Sequence, residues 1–345
     1  MPTEITYLSP RESGEYIVKN AKYLRVLPEG IKKLGEEILA AIQDKKLDVT
    51  NFSQHELHPQ PGKDSNEDPK YGEAADWIFV VDTLNFCFWT PDNYTKYKVD
   101  GYTGYFALCA AIKRAVDEGI DIISPKYYSQ VDAKTLDHIF RSDDGETKIP
   151  LFQQRLDSLH EVGKVLLDKY EGRFENVIKA AKSSAVSLLQ LVVQEFPCFR
   201  DQAEYAGKHV SILKRAQILV GDIWCGYKGE GLGFFNDIDK ITMFADYRVP
   251  QVLVYFKSLE YSEELLEVLN KDTILENGDP REVEIRGASI YIIEQVRDQV
   301  LGLLQKDQHS SVNSVLIDQY LWDYRRKHQE KMADIPFHKV LSIYY

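Results

Sequence analysis

The chain has few of the features that announce the commonest chemistries. Four cysteines in 345 residues, Cys87, Cys109, Cys198 and Cys225, lie far apart and form neither a CxxC pair nor a Cys/His set at zinc-ligand spacing. They read as reduced, mostly buried thiols of an intracellular protein. Eight scattered histidines make no metal-site pattern, and GxSxG, HExxH, GxxxxGK[ST] and a GxGxxG following a strand are all missing. Metal and nucleotide-cofactor chemistry are disfavoured, so the expectation is no metal and no cofactor. No stretch approaches the roughly 20 apolar residues that span a bilayer. The start, MPTEITYLSPRES, lacks the basic and apolar regions of a signal peptide, and the expected setting is cytoplasmic. Basic residues are also short: 42 Lys and Arg face 54 Asp and Glu, for a formal charge of −12. Without a basic face there is little to grip a nucleic-acid backbone, although a small anion fits a local basic pocket.

What is present suits a large globular core, with 44% hydrophobic and 28% charged residues. No repeat, low-complexity tract or internal boundary appears, so residues 1–345 read as one unit. Twenty-one tyrosines suit a wet-edged core or a pocket that stacks on a flat ligand. Helical periodicity dominates. Ser9-Pro10 is a cap followed by a first-turn proline, and Ile31, Leu34, Ile38 and Ile42 put one apolar face on a helix over 28–47. Further helices are expected over 103–118, 132–141 after Asp132, 150–170, 173–195, 211–227, 249–258, 262–270, 282–305 and 311–328. Residues 54–71, rich in Pro, Asp, Asn and Gly, read as a surface loop. The β-branched and aromatic run DWIFVVDTLNFCFW, 76–89, suits one or two buried strands, and KYKV before Asp100-Gly101 suits another. This small β element near 76–100 is the one clear β region expected.

Three places carry candidate chemistry. In ITMFADYRVPQ, 241–251, Asp246 follows apolar residues and precedes Tyr247, Arg248 and a helix-opening Pro250. An ionised carboxylate in such company needs a partner or a use. Upstream, Lys214 and Arg215 read as the middle of an apolar helix, and a glycine-rich loop over 226–235 leads on to Asp246. That order can bring a lysine and a carboxylate to one cleft. Equally, Lys214 can snorkel along a core edge and Asp246 can cap the next helix. In VDTLNFCFW, Asp82 and Asn85 either read the edge of a ligand on which Phe86 or Trp89 stacks, or form a turn between strands. In YLWDYRRKHQ the aromatic rings are expected inside, with Arg325, Arg326 and Lys327 solvated.

DWIFVVDTLNFCFW (76–89), KRAQILVGDIW (214–224), ITMFADYRVPQVL (241–253), EVEIRGASI (282–290), YLWDY (320–324) and IPFHKV with a final Tyr-Tyr resemble the queuosine salvage proteins, the queuosine 5′-phosphate N-glycosylase/hydrolase family. The resemblance covers nearly the whole chain. It implies a mainly α fold with a small β-sheet element, similar to helix-hairpin-helix DNA glycosylases. The implied activity is hydrolysis of queuosine 5′-monophosphate to queuine and ribose 5-phosphate, for reuse of the base in tRNA modification. It also implies Asp246 as the catalytic acid and Lys214 as the motif lysine, with Asp82, Asn85 and Phe86 at the base. Arg215, Tyr247 and Arg248 are candidate substrate contacts; Lys214, Arg215 and Arg248 are the basic groups expected to meet the 5′-phosphate or balance charge, with attack of Lys214 on C1′ as the alternative. The expected partner is this small nucleotide, without direct nucleic-acid or membrane binding, and the expected state a monomer. Two other readings stay open, a glycosylase acting on a base in DNA or RNA and a noncatalytic helical binding module.

Overall fold

The computed structural model describes residues 6–63, 68–91 and 94–345. Residues 1–5 of the N-terminal segment, 64–67 of the expected surface loop and 92–93 of the expected β element lie outside the described residues. Fifteen α-helices and four two-stranded sheets make up the regular structure described. Local signals account for most helix starts. The Ser9 hydroxyl and the Glu12 carboxylate form a reciprocal capping box on Pro10–Asn20, and Asp132 receives Thr135 N–H at the start of Ala133–Ile139. Asp100-Gly101, both at positive φ, turns Lys98–Val99 into an antiparallel pair with Tyr102–Thr103.

The run 76–89 is not a strand. Pro69–Thr83 is an α-helix, buried at every position from Ala74 to Thr83, and the chain continues irregularly through Asn85 to Trp89. A helix buried on all sides has no polar face, so its apolar run lacks a 3.6-residue period and resembles a buried strand. The start signal lies upstream, where the Asp68 side chain accepts from Lys70 N–H and Pro69 takes the first helical position. Two further expectations are corrected. The span 173–195 divides into Phe174–Ala180 and Ala185–Glu195, with Lys182 and Ser183 at positive φ between them. Lys214 and Arg215 do not sit mid-helix but open Lys214–Gly226, because 202–211 forms an antiparallel hairpin turning at Ala206-Gly207. The remaining sheets pair Leu24–Val26 with Leu259–Tyr261 and Ile274–Leu275 with Lys339–Val340, so β structure is not confined to 76–100.

All four cysteines are buried and unpaired. Among the described residues no helix is long and apolar enough to cross a membrane. Two large apolar clusters divide the interior. One contains Pro69–Thr83, Tyr105–Asp117 and the inner face of Lys214–Gly226; the other gathers around Pro280–Leu303 with Pro28–Gln43 and Val249–Tyr255. Trp322 packs against both. The extended segment 241–245 runs along the boundary between them. Ile241 and Phe244 join the first cluster, while Met243 and Ala245 join the second. That division carries Asp246 to the seam between the two cores.

Candidate functional site

A buried segment outside any sheet must find partners for its backbone. For 241–245 they are side chains. Gln217 Oε1 accepts from Thr242 N–H and Gln217 Nε2 donates to Met243 O; Asp318 Oδ1 accepts from Phe244 N–H at 3.1 Å, and Arg286 Nε donates to Ala245 O at 2.9 Å. Asp246 follows, 9% exposed. Its Oδ1 accepts from Arg248 and Val249 N–H, both at 2.8 Å, which caps Val249–Tyr255. Its Oδ2 accepts no hydrogen bond among the described residues. The capping role is therefore real, and it uses one oxygen. Burial pushes this carboxyl above the usual range, against the Val249 N–H and the Lys214 ammonium, which pull it down.

Lys214 enters the same seam from the start of its helix, 6% exposed, with Nζ donating to Asn85 O at 3.2 Å. Burial lowers its pKa, and the charges of Asp246 and Asp82 oppose that. Its backbone is anchored by Asp201, whose Oδ2 accepts Lys214 N–H and whose carbonyl accepts from Ile212 and Leu213, the latter at φ 55°. Arg286 grips Asp201 with two bonds, 2.9 and 2.6 Å, donates to Glu282 at 2.9 Å and reaches Ala245 O. One guanidinium thus links the backbone supporting Lys214 to the residue before Asp246.

Three more acids adjoin this pair. Asp318 is pushed well above the usual carboxylate range by burial and then by Asp246. Asp222, two turns beyond Lys214 on the same helix face, is pushed well above it by burial and then by Asp82. It is 5% exposed, yet neither oxygen accepts a hydrogen bond among the described residues. Asp82 is fully buried and pushed up to about 7 by burial. Its Oδ1 accepts from Asn85 Nδ2 at 3.2 Å, and its Oδ2 has no partner.

The expected contacts come together only in part. Asp246, Lys214 and Asn85 meet, and Asp82 joins them through Asn85 and through its charge on Lys214 and Asp222. Phe86 is 0% exposed, with the Arg155 guanidinium 4.3 Å from its ring centre and Arg215 at 5.0 Å, so no ring face is left for a flat ligand. Arg215 is buried as well and donates to the carbonyls of Asp82, Thr83 and Cys198. Arg155 donates to those of Leu84, Phe86 and Cys87. The two arginines hold the end of Pro69–Thr83 and the turn beyond it. Tyr247 packs with Phe86, Trp89 and Tyr345 in a third apolar cluster. Arg248 is half-buried beside the acid. Arg325, expected in solvent, is half-buried too and donates from Nε to Gln251 Oε1 at 2.8 Å.

Sequence reasoning missed Asp222, Asp318, Asp201 and Arg286. Asp222 had a usable signal, a lone acid eight residues after Lys214 on a mostly apolar helix. Trp322 follows Asp318 by one turn and is half-buried, its ring meeting Tyr105 at 6.3 Å and Phe106 at 5.8 Å. An open groove walled by Val26, Ile31, Tyr291 and Gln299 shares no residue with these groups. Its two charged lining residues, Arg25 and Asp298, are already paired with Glu260 and Arg297, whereas the unanswered charges lie at the seam.

Comparison with known proteins gives this arrangement its family. The family model described as queuosine salvage protein matches residues 63–345. Relatives named queuosine 5′-phosphate N-glycosylase/hydrolase include one from Mus musculus, 46% identical over 344 residues and covering 98% of this chain and 99% of the relative. Another, from Schizosaccharomyces pombe, is 36% identical with 97% and 99% covered. That of Sphaerobacter thermophilus is 36% identical with 84% of each chain covered. The chain belongs to the queuosine salvage protein family.

Proposed function

We propose that the protein hydrolyses the N-glycosidic bond of queuosine 5′-phosphate, releasing queuine and ribose 5-phosphate for salvage into tRNA. The observation that carries this reading is Asp246, a buried carboxylate with one oxygen anchored by two backbone N–H groups and the other unengaged. Cleaving the C1′–N9 bond builds positive charge on the ribose and negative charge on the departing base. Asp246 Oδ2 supplies a fixed negative charge for that cation and orients, or takes a proton from, the attacking water. Lys214 favours the ionised form of Asp246. We read its role as electrostatic, since Nζ is bonded to Asn85 O, and borohydride should trap no adduct on it.

The base poses a separate problem. A 7-deazaguanine has carbon at position 7, so its departure is assisted through O6, N1, N3 or the pocket. Asp222 suits this role, because burial and the charge of Asp82 favour its protonated form, which can donate a hydrogen bond to the leaving group. Asn85 and Asp82, bonded to each other, adjoin it. The reading extends to a single helix-hairpin-helix-like glycosylase unit over 1–345. It also includes a cytoplasmic monomer that binds free nucleotide and no nucleic acid, in keeping with the charge of −12.

Incubation with queuosine 5′-phosphate and mass detection of free queuine tests the reading directly. No release by the parent protein, or an Asp246→Asn variant within about tenfold of it, defeats the assignment.

A further inference from the structure

Arginine is rarely left unanswered in this protein. Among the described residues, every arginine other than Arg248 and Arg325 meets a carboxylate or donates to backbone carbonyls. Those two have one hydrogen-bond acceptor between them, the neutral side-chain oxygen of Gln251. Arg325 Nε donates to it at 2.8 Å and Arg248 Nη1 approaches at 3.4 Å. Gln251 is itself fixed, 2% exposed, with its amide donating to Ile335 O. The Arg248 guanidinium lies 4.6 Å from the ring centre of Phe337 and 5.1 Å from that of Tyr247, so its position is set by stacking.

Two cations on one neutral acceptor repel each other. The strain is visible at Arg325, whose pKa is lowered by burial and then by Arg248, with Asp246 opposing. Asp246 does not discharge the pair, because no ion pair within 4 Å joins it to either guanidinium among the described residues. The Nη nitrogens of Arg325 accordingly keep their donors. This is an unmet demand for an anion, presented as the planar fork that suits a phosphate. Arg248 follows Asp246 by two residues, at most about 7 Å of backbone, and the Asp246 charge acts on Arg325 from the neighbouring element, so an anion held here lies close to the carboxylate.

We propose that Arg248 and Arg325, held in register by Gln251, bind the 5′-phosphate of the nucleotide whose glycosidic bond lies at Asp246. The assignment rests on the hydrolase reading and deepens it. It gives the phosphate a second arginine from the helix Ser314–Lys327, and it excludes Arg215, whose guanidinium is spent on carbonyls.

The test compares kcat/KM for queuosine 5′-phosphate and unphosphorylated queuosine in the parent, Arg248→Ala, Arg325→Ala and Arg325→Lys, with calorimetric titration of ribose 5-phosphate into each. Loss of charged hydrogen bonds should lower kcat/KM for the nucleotide about 10- to 100-fold in either alanine variant, mainly through KM. The nucleoside should lose much less, and ribose 5-phosphate should weaken by a similar factor. Arg325→Lys, which keeps the charge and loses the fork, should fall between. Equal losses on the two substrates, or ribose 5-phosphate binding to Arg325→Ala as tightly as to the parent, would overturn the assignment. If the parent cleaves neither substrate, the hydrolase reading fails. The titration still decides the anion site: binding by the parent that Arg325→Ala loses supports it, and no binding by the parent ends it.

Discussion

Two buried charge networks meet at the seam, and they are built on opposite plans. Arg286 with Asp201 and Glu282 is closed: the guanidinium's bonds go to two carboxylates and one carbonyl, and Asp201 shares its oxygens with Lys214 N–H. Asp246 with Lys214, Asp222 and Asp318 is open. Among the described residues, one oxygen of Asp246 and both of Asp222 accept nothing, and Lys214 Nζ makes one bond. Desolvation burdens both networks, yet only the closed one answers it within the fold. Satisfied charge holds backbone in place, whereas the unsatisfied charge is what our proposal gives to the nucleotide.

Substitutions should separate the two plans. The largest effect is expected for Arg286→Met, which strands two buried carboxylates and should cost about 3–5 kcal/mol in urea unfolding. A loss below about 1 kcal/mol would mean that the lock holds nothing. Asp246→Asn should do the reverse. Its amide oxygen still accepts from Arg248 and Val249, so stability should stay within about 1 kcal/mol of the parent while kcat falls about 10²-fold or more. A variant as unstable as Arg286→Met would erase the distinction.

The next effect is on pH dependence. Folded Asp82 keeps its proton up to about 7, against an ordinary value of 3.8. The folded state thus holds the extra proton between those limits, and stability falls as pH rises through that window and levels above it. Asp82→Asn should flatten the fall, by no more than about 1.4 kcal/mol per pH unit, in thermal unfolding at stepped pH. An unchanged slope would show that Asp82 is ionised throughout. The smallest effect is on the acidic limb of kcat/KM. The Lys214 ammonium lowers the pKa of Asp246, so in Lys214→Gln the residual activity should lose its acidic limb at higher pH than in the parent. A limb moving the other way would place the controlling group elsewhere.

Helices with a wet face were legible from the chain, because Ile31, Leu34 and Ile38 announce a stripe and Ser9 or Asp132 announce a start. Pro69–Thr83 was not, since burial on every side erased its period and its cap lay inside an apparent loop. The candidate site's two central groups, Asp246 and Lys214, could be singled out from the chain, and their surroundings could not. Asp246 stood out as an acid among apolar residues, but its environment depends on Arg286 and Asp318, which arrive from 40 and 72 residues downstream. Phe86 was misjudged for a similar reason. Its sequence neighbours suggest an open aromatic platform, whereas Arg155 and Arg215 occupy its faces from distant helices.

The bond from Lys214 to Asn85 spans 129 residues and that from Arg286 to Asp201 spans 85. Contacts so remote along the chain close late, after local helices have formed. During refolding, recovery of the helical dichroism signal should precede the return of nucleotide cleavage, leaving an interval in which a well-coiled chain is still chemically silent.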